Sequence, residues 1–165
     1  DVNAQARYAA FAEAAEREGY LQAARLFRAA ARSEQIRAAA HARALRLLGE
    51  SPAAEVEPFQ PRGTRQNLLA TLAHEGPERL RDYPRFAQQA RRDGVSEAVL
   101  GFILAHGAEE GLARLYQDAM RRLSAMRDPG DDLYVCPVCG HVVKGPPPAV
   151  CPVSLSPGEA FEPVG

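Results

Sequence analysis

From residue 3 to residue 126 apolar side chains recur with a helical period, and one gap, Ser51 to Gly63, divides the run into two pairs of helices. Few folds accept that pattern. Ala, Leu, Arg and Glu dominate and β-branched residues are scarce, which favours helix over strand. The period predicts a first helix with Tyr8, Phe11 and Ala15 on one face, ending near Gly19. A second runs from about Tyr20 to Leu48, with Phe27, Ala30, Ala38, Leu45 and Leu48 on one stripe and Gly49 as its cap. A third begins near Thr64, carries Leu68, Leu72, Phe86 and Ala90, is kinked or interrupted by Pro77 and Pro84, and ends at Gly94. A fourth runs from Val95 to Met126 with Phe102, Ala105, Leu112, Tyr116 and Leu123 inward. The gap holds three prolines and one glycine and reads as a long crossover. Two helix pairs joined in this way predict a mainly α chain built as a ferritin-like four-helix bundle. Any other helical bundle is the competing reading.

Beyond Asp128, Pro129 and Gly130 the character changes. The stretch from Leu133 is short, rich in Pro and Gly, and holds all three cysteines of the chain, in "CPVCGHVVKGPPPAVCPVS". A bundle over 1–127, a linker at 128–132 and a metal-binding tail over 133–165 follow as the expected domains. So small a tail buries little apolar area, so a bound metal is its expected source of stability. Cys136 and Cys139 form a complete Cys-x-x-Cys pair; Cys151 begins a second pair whose other member is Ser154. Three thiolates at this spacing are strong ligands for iron or zinc, and a serine oxygen is a weaker fourth. His141 is a second candidate for that vacancy. Cysteines clustered in one motif point away from a disulfide framework and toward a cytoplasmic metal site.

Charge and hydropathy exclude some classes. The formal net charge is −1, so no basic footprint for nucleic acid or an anionic membrane exists. The longest apolar run, Ala98 to Ala105, is interrupted by Gly101 and falls well short of the roughly 20 residues of a membrane span. The opening residues do not read as a secretory leader, and a start at Asp1 leaves the natural N-terminus open.

The apolar faces carry carboxylates. Glu34 lies on the stripe of Phe27, Ala30 and Ala38, and Glu109 lies between Ala105 and Leu112. Glu75 and Glu78 follow Leu68 and Leu72, and a spacing of three keeps both on one side of a helix. A lone inward glutamate is usually a boundary residue. Four on three helices need metal, protons or cations, because buried charge is costly alone, and convergent carboxylates are how ferritin-like di-metal sites are made.

With these features in order, the chain resembles the rubrerythrin family. "DVNAQARYAAFAEAAEREGY" is similar to its first ligand helix, "LFRAAARSEQIR" to its Glu-x-x-His helix, "HEGPERLRDYPRFAQQA" to the stretch where Glu-x-x-Glu precedes Tyr-Pro-x-Phe, and "AEEGLARLY" to the second Glu-x-x-His. "YVCPVCGHVVKGPPPAVCPVS" resembles its rubredoxin-like tail. The resemblance implies a homodimeric oxidoreductase of oxidative-stress defence, in which a di-iron site reduces hydrogen peroxide. Electron transport would run from a redox donor through the tail iron, often that of the partner subunit. Carried over by position, the first glutamate falls on Asp1, the second on Glu34 and its histidine on Arg37. The Glu-x-x-Glu falls on Glu75 and Glu78, the last glutamate on Glu109, its histidine on Leu112 and the fourth cysteine on Ser154. Tyr8 and Tyr83 match tyrosines near the family's di-iron site.

The departures matter chemically. Arginine stays protonated and has no lone pair for iron, leucine has no ligand atom, and Asp1 is short and stands at a helix end. His41 lies seven residues beyond Glu34, about 10 Å along a helix, too far to share a metal with it. His106 shares a face with Glu109, and His74 reads as a surface residue. The expected bundle centre is therefore degenerate, with Glu34, Glu75, Glu78 and Glu109 left as ligands, Asp1, Arg37 and Leu112 as substituted positions, and no assigned catalytic residue. Arg37, one turn after Glu34, is expected to stand in for a metal ion and Leu112 to fill its vacancy by packing. Cys136, Cys139, Cys151 and Ser154 remain as the tail site. Three functions stay open: a rubrerythrin-like non-haem iron peroxidase with an impaired or absent di-iron site, a non-catalytic dimeric scaffold of the same descent, and a zinc- or iron-tail binding module.

Overall fold

The computed structural model describes residues 1–53, 55–77 and 81–165, with the backbone alone at 75–77. Helices α1 (Val2–Arg17) and α2 (Leu21–Leu47) form a hairpin turned at Gly19, and α3 (Thr64–Pro77), α4 (Tyr83–Arg92) and α5 (Ser96–Arg121) complete the bundle. Alanines let α1 and α2 approach closely: Ala15, Ala23, Ala29 and Ala30 are wholly buried. The space left in the middle is filled by aromatic rings. Phe11 meets Phe27 at 5.2 Å between centroids, Tyr8 stacks on Phe27 at 6.3 Å, and Tyr116 closes the group from α5 at 6.4 Å from Phe27. Offset and tilted pairs of this kind add to the area they bury.

The crossover is pinned at several points. Phe59 sets its ring edge-on against Phe11 at 5.2 Å. The Asn3 side chain donates to Glu55 O and accepts from Glu57 N. At the far end the Glu18 carboxylate accepts from Thr64 N and from Thr64 Oγ1, capping α3 from another helix.

The third sequence helix is interrupted as expected, into α3 and α4, with Pro84 in the first turn of α4, the position where a missing N–H costs nothing. Two other expectations are corrected. The fourth ends at Arg121 rather than Met126, and Leu123–Arg127 continues as a 3-10 helix. At one end of the bundle the expected inward stripe is open to solvent. Leu45, Leu48 and Phe86 are exposed and, with His41 and Phe102, line an open apolar groove of about 370 Å³.

The tail adds a sheet that periodicity did not announce: β1 (Leu133–Val135), β2 (Val142–Lys144) and β3 (Glu162–Val164), antiparallel in the order β2-β1-β3. Nor is the tail poor in buried apolar surface. Leu133, Val135 and Val142 belong to the same core as Phe27, Leu112 and Tyr116. The connection lies along α2, where Gln22 Nε2 donates to Asp131 O (2.9 Å) and Arg25 Nη1 to Pro129 O (3.2 Å). Arg127 stacks over Tyr20 at 4.1 Å.

At the outer edge Arg32 holds Glu162 through two hydrogen bonds, of 2.8 and 3.0 Å. The Arg32 hydrogen bond keeps the Glu162 carboxyl below its ordinary range. A depressed carboxylate stabilises above its unfolded pKa and loses that contribution as pH falls through the folded one. The contact is half exposed, so its worth is within about 1 kcal/mol. Glu162→Gln should lower stability slightly at pH 7, and the difference from wild type should shrink as pH falls below the ordinary glutamate value and vanish below the lowered one. A difference that persists in acid would mean the ion pair is not its source.

Candidate metal centres

The tail site is built by two copies of one turn. In Cys136-Pro-Val-Cys139-Gly140-His141, Gly140 N donates to Cys136 O (2.9 Å) and Cys136 N to His141 O (2.9 Å). In Cys151-Pro-Val-Ser154-Leu155-Ser156, Leu155 N donates to Cys151 O (3.0 Å) and Cys151 N to Ser156 O (2.8 Å). The residue in the Gly140 position has positive φ in both, +79° for Gly140 and +61° for Leu155. Glycine adopts that conformation freely and leucine does not. Leu155 is 76% exposed, so packing does not require leucine there. Leu155→Gly should stabilise the tail by about 1 kcal/mol, measured as a rise in its melting temperature; an unchanged or lower value would show that the turn is not strained.

These turns aim three thiols at one point. The Cys136, Cys139 and Cys151 sulfurs all lie within 4.8 Å of one another, and Cys139 Sγ and Cys151 Sγ are 3.7 Å apart. Ligands about 2.3 Å from a tetrahedral ion are separated by about 3.8 Å, so the spacing suits a metal and is far longer than a disulfide. Ser154 Oγ lies 3.3 Å from Cys136 Sγ, so an oxygen stands beside the sulfur cluster. Ser154 N points at Cys151 Sγ from 3.5 Å. Burial opposes ionisation of Cys136, but the Ser154 and Ser156 hydroxyls and the N–H groups of Val138 and Cys139 outweigh it and bring its pKa down to about 7. Burial pushes Cys139 up to about 12. A divalent ion would lower both. The donor set therefore fits iron or zinc.

His141 is not part of this cluster among the described residues. Its ring lies over Gly111 of α5, where a Cβ would come 2.8 Å from Nδ1. Burial, with Arg114 nearby, holds its pKa below the ordinary value. It serves docking, as a neutral ring against a bare stretch of helix, and does not replace the missing thiolate.

The bundle centre has a different character. Glu34, Arg37 and Glu109 are 2%, 2% and 1% exposed. Arg37 Nη2 contacts the carboxylates of both Glu34 and Glu109. Its Nη1 donates to Ser33 Oγ (2.7 Å), and Ser33 Oγ donates to Gly140 O (2.7 Å). The guanidinium thus lies between two carboxylates, and a chain of hydrogen bonds leads from it to the first cysteine turn. Leu112 is buried in the aromatic core. Asp1 is not with Glu34: its Oδ2 lies 2.7 Å from His41 Nδ1. Tyr8 and Tyr83 are both 3% exposed, and Tyr83 faces the His41 ring at 6.5 Å. His74 is exposed and His106 half-buried. Glu78 and the side chain of Glu75 lie outside the described residues.

Sequence reading passed over Ser33 and Ser156. Ser33 gives no signal, since serine inside a helix is usually unremarkable. Ser156 gives half a signal: the repeat of Cys-Pro-Val in the two turns puts it in register with His141, and only the fold shows that its side chain, unlike that ring, faces the sulfurs.

The rubrerythrin family profile matches residues 2–120. Nigerythrin of Nitratidesulfovibrio vulgaris is 34% identical over 170 aligned positions, covering 98% of this chain and 79% of the relative. Rubrerythrin of Porphyromonas gingivalis is 30% identical over 172, covering 99% and 84%. The structure of fully reduced, all-ferrous nigerythrin superposes with a TM-score of 0.90 at 32% identity, over 98% of this chain and 80% of that one. With the bundle and the rubredoxin-like tail both in place, the chain belongs to the rubrerythrin family.

Proposed function

We propose that this chain is a rubrerythrin-family metalloprotein that holds a single ion in its tail, on Cys136, Cys139, Cys151 and Ser154, and whose bundle centre is an arginine–carboxylate network instead of a di-iron site. The observation that carries the reading is the Arg37 guanidinium seated between Glu34 and Glu109. A permanent cation there does the electrostatic work that metal ions do among clustered carboxylates, and arginine has no lone pair to give a metal. Glu75 and Glu78 join the same network in this proposal. Bound at the tail, iron would supply one-electron redox chemistry and zinc structure alone. The chain's own residues orient and bury that ion: both turns fix the sulfurs, and the Ser33 hydrogen bond fixes the first turn against α2.

The rest of the proposal follows the family. The domains divide at 128–132, the chain works in the cytoplasm as a homodimer, and a redox donor is needed only if the tail holds iron. Among the described residues no helix is long and apolar enough to cross a membrane. Anaerobic loading with ferrous iron, followed by metal analysis, tests the core of it. A single ion per chain, lost with Cys151→Ala, is expected. Two further irons that survive that substitution would overturn the reading in favour of a di-iron peroxidase. The spectrum of protein from its own host then separates the remaining functions: a red rubredoxin-type chromophore supports an electron-transfer role, and colourless zinc protein a scaffold.

A further inference from the structure

We infer that Ser156 is a positioning residue of the tail metal site, holding Ser154 as the fourth ligand through a hydroxyl–hydroxyl hydrogen bond. The inference rests on the reading of the tail as a metal site and goes beyond it, because that reading gives the Ser156 hydroxyl no part in the site.

The geometry separates the two serines. Ser154 Oγ lies 3.3 Å from Cys136 Sγ, and its own N–H points at Cys151 Sγ from 3.5 Å. The residue therefore meets two of the three sulfurs, one through its side chain and one through its backbone. Ser156 Oγ reaches one sulfur, Cys136 Sγ at 3.3 Å, and lies 2.9 Å from Ser154 Oγ. It stands one shell out, beside the ligand. Leu155 makes this possible. With φ at +61° between them, the chain doubles back and presents both hydroxyls on one side. A glycine-like turn held by a leucine is the kind of strained conformation that persists where the surroundings over-determine it.

The chemistry supplies the reason. A serine hydroxyl is a poor ligand beside thiolates, and it has two lone pairs and one proton. Coordination uses one lone pair. A donor on the other fixes the rotamer, which a free hydroxyl lacks, and removes part of the entropy of ordering it at the metal. Ser156 N also approaches Ser154 Oγ, at 3.5 Å, so the residue addresses its neighbour through both backbone and side chain. A cysteine at position 154 would not need the Ser156 hydroxyl.

Cobalt and zinc binding to the full chain tests the assignment, with Co²⁺ absorption reporting the ligand set and Zn²⁺ competition the affinity. Ser156→Ala should weaken both ions on the order of tenfold, as loss of an outer hydrogen bond to a ligand does, and should shift the Co²⁺ bands. Ser156→Thr, which keeps the hydroxyl, should restore them. In a Ser154→Cys background, Ser156→Ala should cost clearly less on both measures, since only its contact with Cys136 Sγ is left to lose. An equal loss in both backgrounds, or no loss in the wild-type background, would overturn the positioning role while leaving the metal site standing. A wild-type chain that takes up neither ion would overturn both.

Discussion

Replacing Arg37 with leucine is expected to destabilise the folded chain by about 3–5 kcal/mol. The side chain is 2% exposed and its Nη2 contacts both Glu34 and Glu109, themselves buried. Removing it leaves at least two carboxylates in a medium where their mutual repulsion and lost hydration both work against folding. The ion pairs on the surface set the comparison. Arg114–Glu110, with side chains 79% and 52% exposed, should change stability by less than about 0.5 kcal/mol when broken. Denaturant titration of the full chain measures both. The second half of the test is charge removal: adding Glu34→Gln and Glu109→Gln to the leucine variant should recover a large part of the loss, because neutral amides need no cation. If the single variant costs about as little as the surface pair, the guanidinium is a passenger and the space it fills is open to metal.

Withdrawing the tail ion is the other large effect. In a chelator, hydrogen exchange across the second turn, residues 150–158, should accelerate by on the order of 100-fold or more, while α1, α2 and α5 stay protected. The second turn has little else to hold it: apart from Cys151 and Gly158 its residues are half-buried or exposed. Strands β1 and β2 should respond less, since Leu133, Val135 and Val142 are anchored in the bundle core and Ser33 holds Gly140. Cys151→Ala should reproduce the pattern without chelator. Equal acceleration across the whole tail would mean that the metal, and not the shared core, docks it. Unchanged exchange would mean that the ion is not structural at all.

Both expectations come from comparing what residues are with where they are. Arg37 could be marked from sequence because it stands one turn after Glu34, on the apolar face, at a histidine position of the family. The triad of cysteines was legible from spacing alone. The interior of the tail was not. Runs as short as Leu133–Val135 have no period to detect, and their partner surface is shared between α5 and the far more distant α2. The apolar stripe of α2 misled at its far end, where Leu45 and Leu48 share the helical phase of Phe27 and yet no described element covers them. A helix's phase says which side is apolar and nothing about how far its neighbours extend.

Sequence by itself determined the helices, the order of the two modules, the family, and which ligand types survive, because periodicity, proline and glycine punctuation and cysteine spacing are local properties of a chain. Tertiary structure decided the rest. It placed one guanidinium between carboxylates from α2 and α5, sent Asp1 to His41 instead, turned His141 away from the sulfurs, and folded Ser154 and Ser156 to the same side. Each of those is a contact between residues distant in sequence or a choice of backbone dihedral, and such contacts are fixed by how elements pack and turn.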